Sequence, residues 1–499
     1  MRFIKEIVTL FDSYKRVKET SIRGINAKSN YELFFLELKK GDFGTDADAK
    51  AYFISRGESE AYYRKLKSRF KQKLIDRLFL IEYKSNTYSD IQKAYFLCHK
   101  NWVAVRILFG KGIRDSAHYL AVKTLKKALH FEFTEIILDL SRLLRLSSAT
   151  IKGNQKDFNY YDQLVADHFQ VLEQVLLAES LYEKIVLPYV LSKADDQVTM
   201  KLAEKFSNQL KELDLKIETH TFIVFAYGIH NIRYEISHDP KNLIKSCDLA
   251  IQKLRNKPFN LRNQIGIFML RKFSAHLQLA QYEEVKSASI ECGQLITKGS
   301  INWFKFKQYH LIYLIYTEQF AQIPNDFYSA FKHPKLAFRG TGIQETYKLI
   351  HAYLYLLTLS YKIPKNTTPP LPRFRLGKFL NETPAFSKDK KGYNIDILIL
   401  QILIALAKKN YDYIVDRQNA LKQYSSRYLK KNEFYRSSCF INIMLHLVKA
   451  EFHGIRFLRY AKADIKKLKA MPLEDANQIA EFEIVPYEVL LSITLELCD

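Results

Sequence analysis

Residues 275–295 read AHLQLAQYEEVKSASIECGQL: a helix, a short turn carrying the aromatic Tyr282, and a second helix. The same arrangement returns at 311–331, LIYLIYTEQFAQIPNDFYSAF, around Phe320, and at 406–424, LAKKNYDYIVDRQNALKQY, around Tyr411. With Asp239, Tyr282, Phe320 and Tyr361 as turn markers the steps are 43, 38 and 41 residues, and Tyr411 to Phe452 is another 41. A hairpin of this size cannot bury its apolar face alone, so successive hairpins must stack on one another. The pattern predicts an all-α fold in which residues 85–499 form a helix-hairpin repeat solenoid, drifting in length and clearest between about 220 and 460.

Outward from that region the helical period continues. Phe70, Leu74, Leu78 and Ile81 share one face, as do Leu125, Leu129, Ile136, Leu140 and Leu144. Only 16 Gly and 12 Pro in 499 residues leave few turns for a many-stranded fold, and a 47% hydrophobic content supplies a large core. FEFTEIILDLSRLL at 131–144 reads as an earlier hairpin, followed by a polar connection, KGNQKDFN, at 152–159. The most apolar run, Ile395 to Ala407, carries Asp396 and Gln401 and is well short of the ~20 residues that span a bilayer, so a buried helix is expected and no membrane segment. Residues 363–394 hold five prolines and two glycines and cannot form one continuous helix, which makes them a long insertion that leaves the stack.

Within 275–289, Ala275, Leu279, Tyr282, Glu283 and Val285 resemble the turn between the two helices of a tetratricopeptide repeat. The period is longer than that family's ~34 residues, and Tyr, Phe and Ile stand at several of its small-residue positions. The resemblance implies a curved right-handed stack whose concave groove holds a peptide, a protein surface or a regulatory ligand.

Residues 1–84 are read as a separate basic helical region. YELFFLELKK (31–40), TDADAKAYFI (45–54, opened by Thr45 and Asp46) and AYYRKLKSRFKQKLIDRLFLI (61–81) are three helices split by GDFG and SRGES, an order that resembles a helix-turn-helix domain. The third helix places Tyr63, Leu66, Phe70, Leu74, Leu78 and Ile81 on one side and Arg64, Lys65, Lys67, Arg69, Lys71 and Lys73 around the rest. Residues 60–84 hold eight Lys and Arg against three Asp and Glu, more than helix-stabilising pairs require. Two uses are open to such a face: contact with DNA, RNA or an acidic partner, or simple solvation of a helix packed on its other side.

The insertion offers a second basic segment. Arg373, Arg375 and Lys378 interleave with Phe374 and Phe379, a mixture that suits phosphates and bases as well as a loop anchored by its rings. Trp303, among Phe304, Phe306 and Tyr309, is read either as a partner anchor or as packing between repeats.

Catalytic signatures are not found. Cys98, Cys247, Cys292, Cys439 and Cys498 are far apart, with no CxxC, and their pattern suits a reducing cytoplasm. The 13 histidines are dispersed without HExxH, and the Gly110-Lys111-Gly112 cluster lacks phosphate-loop spacing. No catalytic residue, metal ligand or cofactor is expected. With 77 Lys and Arg against 53 Asp and Glu, a formal +24, the surface favours acidic proteins or nucleic acid. The expectation is therefore a cytoplasmic, non-enzymatic scaffold that binds a protein or peptide partner. Its alternative is a nucleic-acid-binding regulator that couples the N-terminal region to a sensory repeat array.

Overall fold

The structure, a computed structural model, describes residues 1–13, 29–79, 89–191, 196–214, 216–382, 393–428, 435–476 and 483–498. Among the described residues there are 22 α-helices and no strand, so the chain is all-α. None of these helices is long and apolar enough to cross a membrane. Its contacts divide it into two compact units, Met1–Phe131 and Glu132–Asp499. The boundary expected between 84 and 85 lies outside the described residues.

The first unit contains α1 (Arg2–Ser13), α2 (Asn30–Lys40), α3 (Asp46–Ser55), α4 (Glu60–Leu78), α5 (Asp90–Gly110) and α6 (Arg114–His130). The starts of α2, α3 and α4 are fixed by Ser29, Thr45 and Ser59, whose hydroxyls accept N–H bonds from Glu32, Asp48 and Tyr62. Thr45 and Asp48 cap each other reciprocally. Gly41, at φ 92°, takes the left-handed turn that stops α2. The expected third helix ends at Leu78, and its Ile81 lies outside the described residues.

The core of these helices is aromatic: Phe34 stacks on Phe70 at 4.9 Å and meets the edge of Phe53 at 5.4 Å. Helix α1 belongs to the same core through Ile4, Ile7, Val8 and Phe11. The region is thus four packed helices, one more than the three read at 31–81.

The second unit opens with α7 (Thr134–Ser147), α8 (Gln155–Leu191), α9 (Asp196–Asp214), α10 (His220–Ile236) and α11 (Pro240–Arg255). It continues with α12 (Arg262–Gln278), α13 (Tyr282–Leu295), α14 (Ile301–Tyr316), α15 (Ile323–Phe331) and α16 (Thr341–Leu359). The short α17 (Leu376–Glu382) precedes α18 (Tyr393–Ala407), α19 (Tyr411–Tyr428), α20 (Tyr435–Lys449), α21 (Gly454–Lys469) and α22 (Tyr487–Cys498). Gly228 lets α10 approach α8, since a Cβ there would stand 2.8 Å from the Tyr182 ring.

Most consecutive helices of the second unit pack on one another, and α12, α14, α16 and α18 also touch in sequence. The turns repeat one chemistry. His238, Ala280, Glu318, Tyr361, Lys409 and Glu451 are all left-handed, with φ between 52° and 59°. In each case the next residue's N–H bonds to the carbonyl five positions back, at 2.8–3.1 Å, as in Asp239 to Tyr234 and Gln281 to His276. Every sequence turn marker falls within two residues of one of these positions.

Packing between hairpins is aromatic and hydrogen-bonded. Phe273 of α12 meets Phe306 and Tyr309 of α14, and the Tyr347 hydroxyl of α16 donates to the Phe304 carbonyl of α14 at 2.8 Å. Helix α18 is buried along most of its length, as expected for 395–407.

Candidate interaction surface

Helix α4 buries Tyr63, Leu66, Phe70 and Leu74, a spacing of three and four that turns the intervening positions outward. Arg64, Lys65, Arg69 and Lys71 are exposed, and Lys67 and Lys73 are half-buried. Several of these cations serve the fold. Arg64 pairs with Glu60 at 2.6 Å and Lys67 with Asp46 at 2.7 Å. Lys71 lies over the Phe3 ring and Lys73 over the Tyr31 ring, at 4.8 and 5.2 Å. Glu60 accepts from both Lys50 and Arg64, which holds its carboxyl down at about 2. Hydrogen bonding from Lys67 likewise lowers Asp46, against the desolvation that opposes it. Among the described residues, Lys65 and Arg69 of α4 meet no carboxylate or ring.

In the insertion, residues 364–375 run without helix before α17. Phe374 stacks on Tyr355 at 4.7 Å and lies 5.7 Å from the buried Phe379, while His351 Nε2 and the Pro372 carbonyl are 2.9 Å apart. These contacts tie the segment to α16. Arg373, Arg375 and Lys378 alternate with the ring anchors and are exposed. They belong to the second unit and α4 to the first. Phe386 and the basic run at 388–391 lie outside the described residues.

Trp303 is only 6% exposed and packs against Phe304 and His333 at 5.0 and 5.2 Å. Its backbone N–H is taken by the Ser300 cap. The ring is therefore buried at the start of α14.

A polar cluster inside the second unit was not read from the sequence. Arg436, at the start of α20, donates to both oxygens of Glu483 at 2.9 and 2.7 Å, to Glu488 at 2.8 and 3.0 Å, and to the Met471 carbonyl at 2.6 Å. Glu483 also accepts the Tyr487 N–H, and its main-chain carbonyl accepts the Tyr316 hydroxyl. Burial pushes the Glu483 carboxyl above its ordinary range, and the bonds from Arg436 pull it back. Asp396, electrostatically coupled to Glu483 and fully buried, accepts one bond from the Tyr353 hydroxyl, while its second oxygen has no partner among the described residues. Burial drives the Asp396 carboxyl well above its ordinary range. The available signals were a lone Arg opening an apolar helix and a lone Asp inside 395–407.

Every donor of Arg436 that the cluster engages is spent on the protein itself, so the cluster organises the fold. Glu488 lines a cleft of about 190 Å³ with Glu318, Phe320, Lys362, Val489 and Ser492. That is below the roughly 300 Å³ at which small-molecule pockets begin. All five cysteines are buried, and desolvation lifts the Cys98 thiol to about 11 and those of Cys247 and Cys292 to about 12. Thiols held that high are poor nucleophiles at neutral pH. No metal-ligating cluster occurs among the described residues. No family model matches the chain, and no curated protein or solved structure matches it significantly.

Proposed function

We propose that this chain is a non-enzymatic interaction scaffold, a tetratricopeptide-like solenoid whose hairpin stack presents an extended surface to an acidic protein partner. The observation that supports it is the recurrence of one left-handed turn at His238, Ala280, Glu318, Tyr361, Lys409 and Glu451, in steps of 38 to 48 residues. A chain built by repeating one hairpin presents the same faces over and over, which suits the recognition of extended partners. The net charge of +24 selects for acidic ones. Affinity capture on the intact chain, with nuclease-treated and untreated samples side by side, tests the reading. A protein partner retained after nuclease and released by salt is the expected outcome. Partners that vanish with nuclease would overturn it.

A second reading, contact of a helix-turn-helix-like N-terminal region with nucleic acid, is favoured by one detail. Lys65 and Arg69 stand on the exposed face of α4 with no carboxylate partner among the described residues, as phosphate-binding side chains would.

A further inference from the structure

Helix α5 carries apolar residues on every side, interspersed with Lys93, Lys100 and Arg106. In DIQKAYFLCHKNWVAVRILFG only Ile91, Ala94, Cys98 and Val105 are buried, against α6, its one substantial neighbour among the described helices. A helix with apolar residues all round is normally enclosed, because leaving them in water forfeits about 25 cal/mol for each Å² that burial would remove. Opposite the buried seam, Lys100, Val103, Ile107 and Lys111 follow at i, i+3, i+7 and i+11, one continuous stripe. Val103 is 40% exposed and Ile107 59%, with Leu97 at 42% on the flank. An aliphatic centre is therefore closed at each end by a lysine.

The charge around that stripe is one-sided. From Asp90 to His130 the sequence holds eight Lys and Arg against two acidic residues, Asp90 and Asp115. Asp90 already pairs with Lys93. Lys100, Arg106 and Lys111 are exposed, and Arg106 makes its recorded contact with the Trp102 ring rather than with a carboxylate. Three occupants compete for such a face. A second copy docked through the same stripe would bring lysines against lysines. Nucleic acid would satisfy the cations but leave Val103 and Ile107 against a phosphate backbone, where aliphatic side chains gain little. A partner helix with an apolar seam and acidic flanks satisfies both.

We infer that the outer face of α5, centred on Val103 and Ile107 and bounded by Lys100 and Lys111, is the docking site for an acidic amphipathic helix of a partner protein. It rests on the scaffold reading above and gives that reading a location and a partner chemistry. Lysines at both ends attract carboxylates and set the register, and the aliphatic centre supplies the burial that holds the helix in place.

The test uses the full chain and a synthetic helical peptide with leucines at i, i+3, i+4 and i+7 and glutamates between them. A scrambled peptide of equal composition and a single-stranded oligonucleotide serve as controls. The patterned peptide is expected to bind, and the scrambled one to bind at least about tenfold more weakly, a difference near 1.4 kcal/mol. Val103→Ser with Ile107→Ser should weaken peptide binding about tenfold or more, and Lys100→Glu with Lys111→Glu should weaken it and flatten its salt dependence. All four positions are exposed, so circular dichroism should report an unchanged fold. Equal binding of both peptides, or indifference to the serine variant, would overturn the inference. So would an oligonucleotide that outcompetes the peptide and responds only to the lysine variant. A nuclease-resistant protein complex that persists while the peptide fails would overturn this location alone and leave the scaffold reading standing.

Discussion

Two regions of this molecule put arginine to opposite uses. On α4, Arg64 and its partner Glu60 are 75% and 44% exposed, and a pair that open to water contributes about 0–1 kcal/mol. Its partners are loosely held, so the cation remains free to change them. Arg436 is 2% exposed and faces Glu483 at 1%. A charge so far from water, shared among Glu483, Glu488 and the Met471 carbonyl, is bound to the fold. Basic composition alone therefore does not mark a binding surface; what decides is whether the desolvation of each cation has already been compensated inside the chain.

The comparison breaks most visibly at Arg436. Arg436→Met should cost about 3–5 kcal/mol in denaturant unfolding, because it strands the Glu483 carboxylate in the interior. Arg64→Ala should cost less than about 1 kcal/mol. If stranding is the cause, adding Glu483→Gln to Arg436→Met should recover part of the loss. A double variant no more stable than Arg436→Met would show that lost packing of the guanidinium dominates instead.

Asp396 gives the next largest effect and a different signature. Its carboxyl is raised in the folded state, so the native protein holds a proton that the unfolded chain releases near pH 4. Stability should then fall as pH rises above about 4, by up to about 1.4 kcal/mol per pH unit, until the raised folded value is passed. Asp396→Asn keeps an acceptor for the Tyr353 hydroxyl and removes the titration. The difference in unfolding free energy between variant and wild type should therefore grow with pH in the variant's favour. A constant difference from acid to neutral pH would mean that Asp396 is ionised in the fold.

Local features were legible in the sequence and long-range ones were not. The hairpin turns at Tyr282 and Phe320 could be read because a left-handed helix stop is written in a few adjacent residues, here beginning at Ala280 and Glu318. The burial of 395–407 was legible from apolar content alone. Helix α1 was harder: its spacing of Ile4, Ile7, Val8 and Phe11 is helical, but nothing local says that they join the core of Phe34 and Phe70. Arg436 and Glu483 lie 47 positions apart, so no window around either reveals the pair. The same limit applied to the cationic face of α4. Composition marked all six cations alike, and only the fold separates Lys67, spent on Asp46, from Lys65 and Arg69.

The smallest expected change in stability is at those two residues, where the α4 reading is most sharply tested. Lys67 and Lys73 are poor probes of binding, since replacing them also disturbs the Asp46 pair and the contact with the Tyr31 ring. Lys65→Gln with Arg69→Gln removes two exposed charges that pair with nothing among the described residues, so unfolding free energy should stay within about 0.5 kcal/mol of wild type. Lys67→Gln serves as the contrast, losing up to about 1 kcal/mol with its half-buried pair. If α4 meets nucleic acid, each neutralised phosphate contributes about one unit to the slope of log affinity against log salt, and the Lys65/Arg69 variant should flatten that slope by about two. The measurement is a salt titration of duplex binding by the folded full chain. An unchanged slope would take α4 out of the nucleic-acid reading, and would leave Lys67, Lys71 and Lys73 as what their contacts describe: ties between α4 and its neighbouring helices.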